Sequence, residues 1–340
     1  MFKRFLSSFY IIAILFSSCK NNDQQIYKSQ FNGEAFGTTY SIIITGSESV
    51  DVHQEIDSVI RVVNQSMSTY IPTSDISRIN KGDTSVVVDH MFEEVFLLSA
   101  TVHQKTGGYF DPTVGVLVNA WGFGPGKQIA LNDRKIDSLM TYVGFSKVQL
   151  TENRQLIKSN PAIYFDFNAI AKGYAIDRLG KVLSDKGFDN YLIEVGGELI
   201  TKGINTSSKK PWVVGIDDPL AKDRSHPIRL LTLKNKALAS SGNYRKFRVD
   251  PISGEKYVHT INPLTGYTQN SKVLAVSVLA NDCATADAYA TSFMAMGLQK
   301  TKALIASEDE LDVFVVYLDE ENQMQTWSSK GFKSAFLSKE

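Results

Sequence analysis

Two stretches of this sequence carry residues whose types and spacing suit work on a phosphate. In Phe165-Asp-Phe-Asn-Ala-Ile-Ala-Lys-Gly-Tyr174, a short apolar run ends at Asp166 and a helix is expected to start near Asn168. The free N–H groups at a helix start attract anions, phosphate among them. Lys172, expected one turn inside, could reach such an anion, and Gly173 lets another element pack closely. The same pattern also describes a routine strand–helix junction with a solvated lysine. In Asn281 to Ser292, Asp287 and Thr291 stand at i and i+4 and share one helix face. An oxygen pair of this kind suits Mg²⁺, which keeps several waters or substrate phosphates. An ordinary helix-face carboxylate is the plain alternative.

Two further stretches offer a base and a flat surface. Of the five histidines, His53 and His103 fall in expected helices, and His90 and His226 in expected loops. His259 lies in Tyr257-Val-His-Thr-Ile-Asn-Pro-Leu-Thr-Gly266, before a Pro-Gly turn in an apolar-flanked segment. It could serve as a general base near neutral pH, or simply as a hydrogen-bonded turn residue. Gly107 to Gly115 and Asn119 to Pro125 are rich in glycine and aromatics. Such loops suit a planar heterocycle, and equally plain turn packing.

The elements that must position these residues follow from periodicity. Ile56, Val59, Ile60, Val63 and Met67 have helical spacing, so His53 to Met67 is an amphipathic helix. Ser74 or Asp75 could cap a short helix after it. Helices are also expected at Met91–Thr106, Leu131–Val143, Asn168–Asp185 and Asp282–Met296, the last closed by Gly297. Strands are expected within 35–45, 162–167, 191–195, 212–216, 228–233, 237–240, 274–279 and 311–317. Helices and strands mix without strict alternation. That predicts an α+β fold, one compact domain with mostly antiparallel sheet and packed helices.

Composition narrows the function classes. The chain has 340 residues with 36 basic and 36 acidic side chains, a formal net charge of +0. That argues against a nucleic-acid-binding surface, which usually carries a basic excess. Lys3 and Arg4 precede a short apolar run, then Ser17-Ser18-Cys19. The run is too short to span a membrane and has the form of a signal peptide. It resembles the lipobox of bacterial lipoproteins, although Phe16 is an unusual occupant there. The expected organisation is a signal at 1–18, a lipidated Cys19 with a polar tether over 19–30, and a domain over 31–340. With Cys19 lipidated, Cys283 stands alone, which rules out a disulfide framework.

In this order, the motifs closely resemble the ApbE family of FAD:protein FMN transferases. They are Ala35-Phe-Gly-Thr-Thr-Tyr40, Ser68 to Asn80, Tyr109 to Gly115 and Asn119 to Gly124, then Asp166 to Ala175, Val195-Gly-Gly-Glu198, Ser240 to Arg245, His259 to Gly266 and the Asp287/Thr291 helix. The resemblance implies that FMN passes from FAD to a threonine or serine hydroxyl of an exported acceptor, a membrane redox subunit, with release of AMP. It implies FAD contacts at Phe36, Tyr70, Ala120, Trp121, Gly122, Asp166, Lys172 and Ile261. Mg²⁺, with Mn²⁺ as the alternative, is implied between the backbone oxygen of Ala169, the Asp287 carboxylate and the Thr291 hydroxyl, with His259 as base. It also implies a lipoprotein on the outer, periplasmic face of the cytoplasmic membrane. The rival readings are an FAD pyrophosphatase and a non-catalytic flavin-binding lipoprotein.

Overall fold

The computed structural model describes residues 25–221, 226–243, 247–249, 256–269 and 271–338. The expected signal, Cys19, and Tyr244 and Arg245 of the Ser240–Arg245 motif lie outside the described residues.

The chain opens with a hairpin of β1 (Tyr27–Ala35) and β2 (Thr38–Gly46). Its turn is Phe36-Gly37, with φ of 52° and 76°, the left-handed pair that a two-residue hairpin favours. Residues 27–30, expected in the tether, belong instead to β1, since pairing starts at Tyr27↔Gly46. Buried Ser29 and Phe31 alternate with exposed Lys28, Gln30 and Asn32, so the strand hides behind its polar outer face.

Five helices follow: α1 (His53–Met67), α2 (Asp75–Asn80), α3 (His90–Lys105), α4 (Gly115–Ala120) and α5 (Asp133–Met140). Ser74 caps α2 by accepting from Ser77 N–H. His90, expected in a loop, opens α3, because Asp89 accepts from Phe92 N–H and caps it. A small ribbon of β3 (Val148–Leu150) and β4 (Leu156–Lys158) leads to α6 (Ala171–Asp185). Next come β5 (Tyr191–Val195), β6 (Glu198–Lys202), β7 (Trp212–Ile216), β8 (Arg229–Leu233) and β9 (Ala237–Gly242). After a ribbon of β10 (Phe247–Val249) and β11 (Lys256–Val258) comes the central β12 (Val273–Ala280). The chain finishes with α7 (Cys283–Ile305), β13 (Asp312–Leu318), β14 (Met324–Ser328) and α8 (Lys330–Ser334). Gly297, with φ 75°, kinks α7 at the expected closing point, but helix resumes beyond it.

Eight strands form one sheet in the order β1-β2-β5-β6-β9-β12-β13-β14, and every neighbouring pair is antiparallel. The α+β expectation holds. One face packs a large core with α1, α3, α6 and α7, including Ile56, Phe92, Ile176 and Phe293. The other face carries the β7–β8 ribbon and α8, with Leu231, Leu238, Phe314 and Phe332 between them. Covered on both faces, β12 reads Val-Leu-Ala-Val-Ser-Val-Leu-Ala rather than alternating.

Two local expectations fail together. No strand forms at the expected 162–167, where the pairing is an isolated bridge, Tyr164 to Val114. Ile163, Phe165 and Phe167 are buried, but the backbone of Phe165 is bonded by a side chain rather than by a strand. Asn80 accepts from Phe165 N–H at 2.7 Å and donates to Phe165 O at 2.8 Å. Asn168 does not cap α6, which starts at Ala171 after Ile170 with no side-chain cap. Instead Asn168 N–H donates to Asp166 Oδ1 at 2.8 Å, making a tight turn ahead of the helix.

Candidate active site

The contact of α6 with α7 builds the most charged part of the interior. Gly173 makes it possible: a Cβ there would press into the Cys283 carbonyl and come within 2.9 Å of Ala284 Cα. The close approach lets Gly173 N–H donate to Asp287 Oδ2 at 3.1 Å. One turn along α6, Asp177 accepts from Cys283 N–H at 2.7 Å and from Ala284 N–H at 2.8 Å. These are free donors of the first turn of α7. Thr291, one turn beyond Asp287, places Oγ1 3.2 Å from Ser241 Oγ on β9.

Lys172 is the second residue of α6 and lies beside this contact. Its Nζ stands 2.5 Å from Glu198 Oε2, so the lysine read as a solvated or phosphate-seeking cation is ion-paired inside the protein. Glu198 follows the Gly196-Gly197 turn between β5 and β6, whose φ values are 61° and 105°. Burial pushes the Glu198 carboxyl up, Lys172 pulls it back and Asp287 adds to the rise, leaving it at about 7. Burial also raises the Asp287 carboxyl, opposed by Lys172 and by Gly173 N–H. Burial alone would lower the Lys172 ammonium, but Glu198 and Asp287 outweigh it and hold it above its ordinary value.

The Asp166 turn lies just ahead of α6. Asp166 N–H donates to Pro112 O at 2.8 Å, and burial raises its carboxyl against the pull of Asn168. Asn168 Nδ2 donates to Thr69 Oγ1 at 3.4 Å, which sets the turn beside Tyr70. Tyr70 is 60% exposed. Burial first, then the charges of Asp166 and Tyr164, raises its phenol. Helix α4 packs tightly here, since a Cβ on Gly115 would lie 2.7 Å from the Tyr164 carbonyl. That helix ends in buried Ala120, followed by Trp121 and by Gly122 with φ 79°.

Trp121 ties α4 to the His259 loop. Its Nε1–H donates to Gly266 O at 2.9 Å, and its ring lies 5.0 Å from that of Tyr257. Ile261 packs with Leu117 and Val143. His259 is half-buried, edge-on to Phe123 with centroids 6.4 Å apart. Its neighbour Thr260 donates to Asn243 Oδ1 at 2.7 Å, two residues beyond Ser241. The structure brings Lys172 to Glu198, Gly173 to Asp287 and Thr291 to Ser241, while the loop of His259 is tied separately to Asn243 and to Trp121. Phe36 lies in the β1–β2 turn, three residues before Thr39, whose carbonyl accepts from Gly196 N–H at 3.0 Å.

Phe36 lines a cavity of about 470 Å³ with Thr38, Ile60 and Asn64. A larger cavity of about 570 Å³, lined by His103, Asp111, Phe145 and Leu264, includes none of the expected residues. Among the described residues, no group of three His, Cys, Asp or Glu side chains is placed to hold a metal. The expected donors are instead one carboxylate, one hydroxyl and the carbonyl of half-buried Ala169. All three are oxygens, the donor type of Mg²⁺. The functional reading of the sequence gave no role to Glu198, Ser241 or Asp177. Glu198 was visible only as the end of Val195-Gly-Gly-Glu198.

Comparison with known proteins follows the same outline. A model of the ApbE family matches residues 36–315. An FAD:protein FMN transferase of Haemophilus influenzae is 31% identical over 99% of this chain and 100% of its own length. One from Vibrio cholerae is 32% identical over 96% of this chain and 97% of its own. The solved structure of the flavin transferase ApbE from Vibrio cholerae superposes with a TM-score of 0.81 at 31% identity, covering 92% of this chain and 100% of that one.

Proposed function

This chain belongs to the ApbE family, and from that membership we infer an enzyme that transfers FMN from FAD to a protein. It is a flavin transferase with FAD as substrate. The reading goes further in its chemistry. A threonine or serine hydroxyl of the acceptor attacks the FMN-side phosphorus of FAD. The new P–O bond leaves FMN as a phosphoester, and the bridging P–O bond breaks to release AMP. His259 takes the proton of the attacking hydroxyl. Lys172 lines the FAD site in this reading with its charge balanced by Glu198, because phosphoryl transfer is mostly positioning and charge stabilisation.

Phe36, Tyr70, Ala120, Trp121, Gly122, Asp166 and Ile261 contact FAD in this reading. Asp287, Thr291 and the Ala169 carbonyl hold Mg²⁺, or Mn²⁺ in its place. The ion, when bound, neutralises developing phosphate charge. The observation that carries the site assignment is the buried Lys172–Glu198–Asp287 cluster on the α6–α7 contact, with Thr291 of α7 bonded to Ser241, two residues before the Asn243 that anchors the His259 loop. A lipid on Cys19 would hold this site at the outer, periplasmic face of the cytoplasmic membrane, where exported redox subunits are the acceptors.

The test incubates the chain lacking residues 1–19 with FAD, Mg²⁺ and an exported flavoprotein domain, followed by mass spectrometry. Gain of one FMN on a threonine or serine, with free AMP, is the expected result. Free FMN and AMP without labelling would make the protein an FAD pyrophosphatase. Binding without turnover would make it a flavin-binding lipoprotein.

A further inference from the structure

Glu198 stands in the charged cluster without a role in transfer. Its position is explained by a competition between two cations for one carboxylate. Lys172 immediately precedes Gly173, whose N–H already donates to Asp287 Oδ2 at 3.1 Å. The lysine therefore starts beside the carboxylate expected to hold the metal. A flexible side chain with a point charge would naturally turn to it. It does not: its Nζ sits 2.5 Å from Glu198 Oε2. Glu198 is only 6% exposed and Asp287 only 4%, so screening by water is weak. An ammonium that moved onto Asp287 would occupy a carboxylate lone pair and repel an incoming divalent cation.

We propose that Glu198 is a positioning residue that holds Lys172 off Asp287 and cancels its charge, keeping the Asp287 carboxylate open to a divalent metal. The fold supplies the means. The β5–β6 turn at Gly196-Gly197 delivers Glu198 at the first position of β6. It thus meets Lys172 from the sheet side, while Asp287 meets α6 from the α7 side. The inference rests on the reading that Asp287 binds metal, and its test separates the two.

The experiment measures Mn²⁺ binding to the full-length protein by electron paramagnetic resonance, without FAD or acceptor. Asp287→Asn tests the metal reading and should abolish binding. Glu198→Gln keeps the shape but removes the charge. Lys172 is then expected to turn to Asp287, and Mn²⁺ affinity to fall by about 10- to 100-fold, the usual range for losing a residue behind a ligand. Adding Lys172→Met to Glu198→Gln removes the competing cation and should return affinity to the wild-type range. A merely structural role for Glu198 would not be rescued by a second core substitution. Circular dichroism of each variant establishes that it is folded.

If Asp287→Asn abolishes binding and Glu198→Gln binds Mn²⁺ like wild type, the inference about Glu198 is wrong and the metal reading stands. A weakened Glu198→Gln that Lys172→Met does not rescue overturns it as well, since Glu198 would then act on the metal directly. Mn²⁺ binding that is insensitive to Asp287→Asn removes both.

Discussion

At the scale of single residues, the reaction asks for a base that can approach a hydroxyl arriving from another protein. His259 is half-buried, with Phe123 edge-on and Thr260 anchored to Asn243. Those contacts fix the backbone of the loop on one side of the imidazole. Removing the imidazole gives up the Phe123 contact but leaves the Thr260–Asn243 bond in place, so His259→Ala should retain FAD affinity in a flavin-fluorescence titration. Transfer should slow by about 10²- to 10⁴-fold, the typical contribution of a general base. Transfer near the wild-type rate would take His259 out of the mechanism. His259, Asp287 and Thr291 stand out in the sequence as candidates by rarity or spacing. Glu198 and Ser241 do not. Each gains its meaning from a partner on a distant element, Lys172 in one case and Thr291 in the other, and no local pattern records that meeting.

At the scale of elements, the site depends on how closely α6 and α7 approach. Gly173→Ala adds a methyl where the Cys283 carbonyl and Ala284 Cα already stand. Overpacking of this kind costs about 1–3 kcal/mol, and chemical denaturation should register it, with weaker metal binding because Asp287 is displaced with α7. Unchanged stability of the Gly173→Ala variant would show that the helices separate freely. Asp177 clamps the same contact and adds a pH dependence. Burial raises its carboxyl to about 7, against the pull of the Cys283 and Ala284 N–H groups, from an ordinary value of 3.8. Between those values the folded protein keeps a proton that the unfolded chain has released. Its stabilising contribution is therefore complete below the unfolded value and is lost as pH rises through the folded one. Asp177→Asn cannot ionise, so any stability advantage of wild type over the variant should shrink from about pH 4 to about pH 8. Parallel melting-temperature profiles would contradict the raised value. Element boundaries were legible where one face alone is buried: α1 matches its apolar spacing end to end. They were misread where burial has another cause, as at 162–167, where Asn80 takes the place of a neighbouring strand.

At the scale of the whole molecule, an eight-stranded antiparallel sheet carries helices on one face and a β-ribbon with α8 on the other. The first strand begins at Tyr27, and this bounds the attachment proposed through Cys19. Had the tether run to residue 30, the folded body could stand farther from a lipid on Cys19. Eight residue steps separate Cys19 from Tyr27, and at about 3.5 Å per residue they reach at most about 28 Å. That is comparable with the thickness of the hydrocarbon core of a bilayer, about 30 Å. If Cys19 carries lipid, as proposed, the folded body stays within that reach of the membrane, which suits acceptor subunits that are themselves embedded there. Among the described residues, no helix is long and apolar enough to cross a membrane. Lipid on Cys19 is the attachment this reading requires, and chains buried in the bilayer contribute about 0.8 kcal/mol per CH₂. Cys19→Ala should therefore move the protein from the membrane pellet to the soluble fraction after cell fractionation. Because Cys19 precedes the folded body, the released protein should still transfer FMN to a soluble acceptor domain at the wild-type rate. Labelling of a membrane-embedded acceptor should fall, since the local concentration given by the shared membrane is lost. Retention of the Cys19→Ala protein in the pellet would show that another part of the chain makes the attachment.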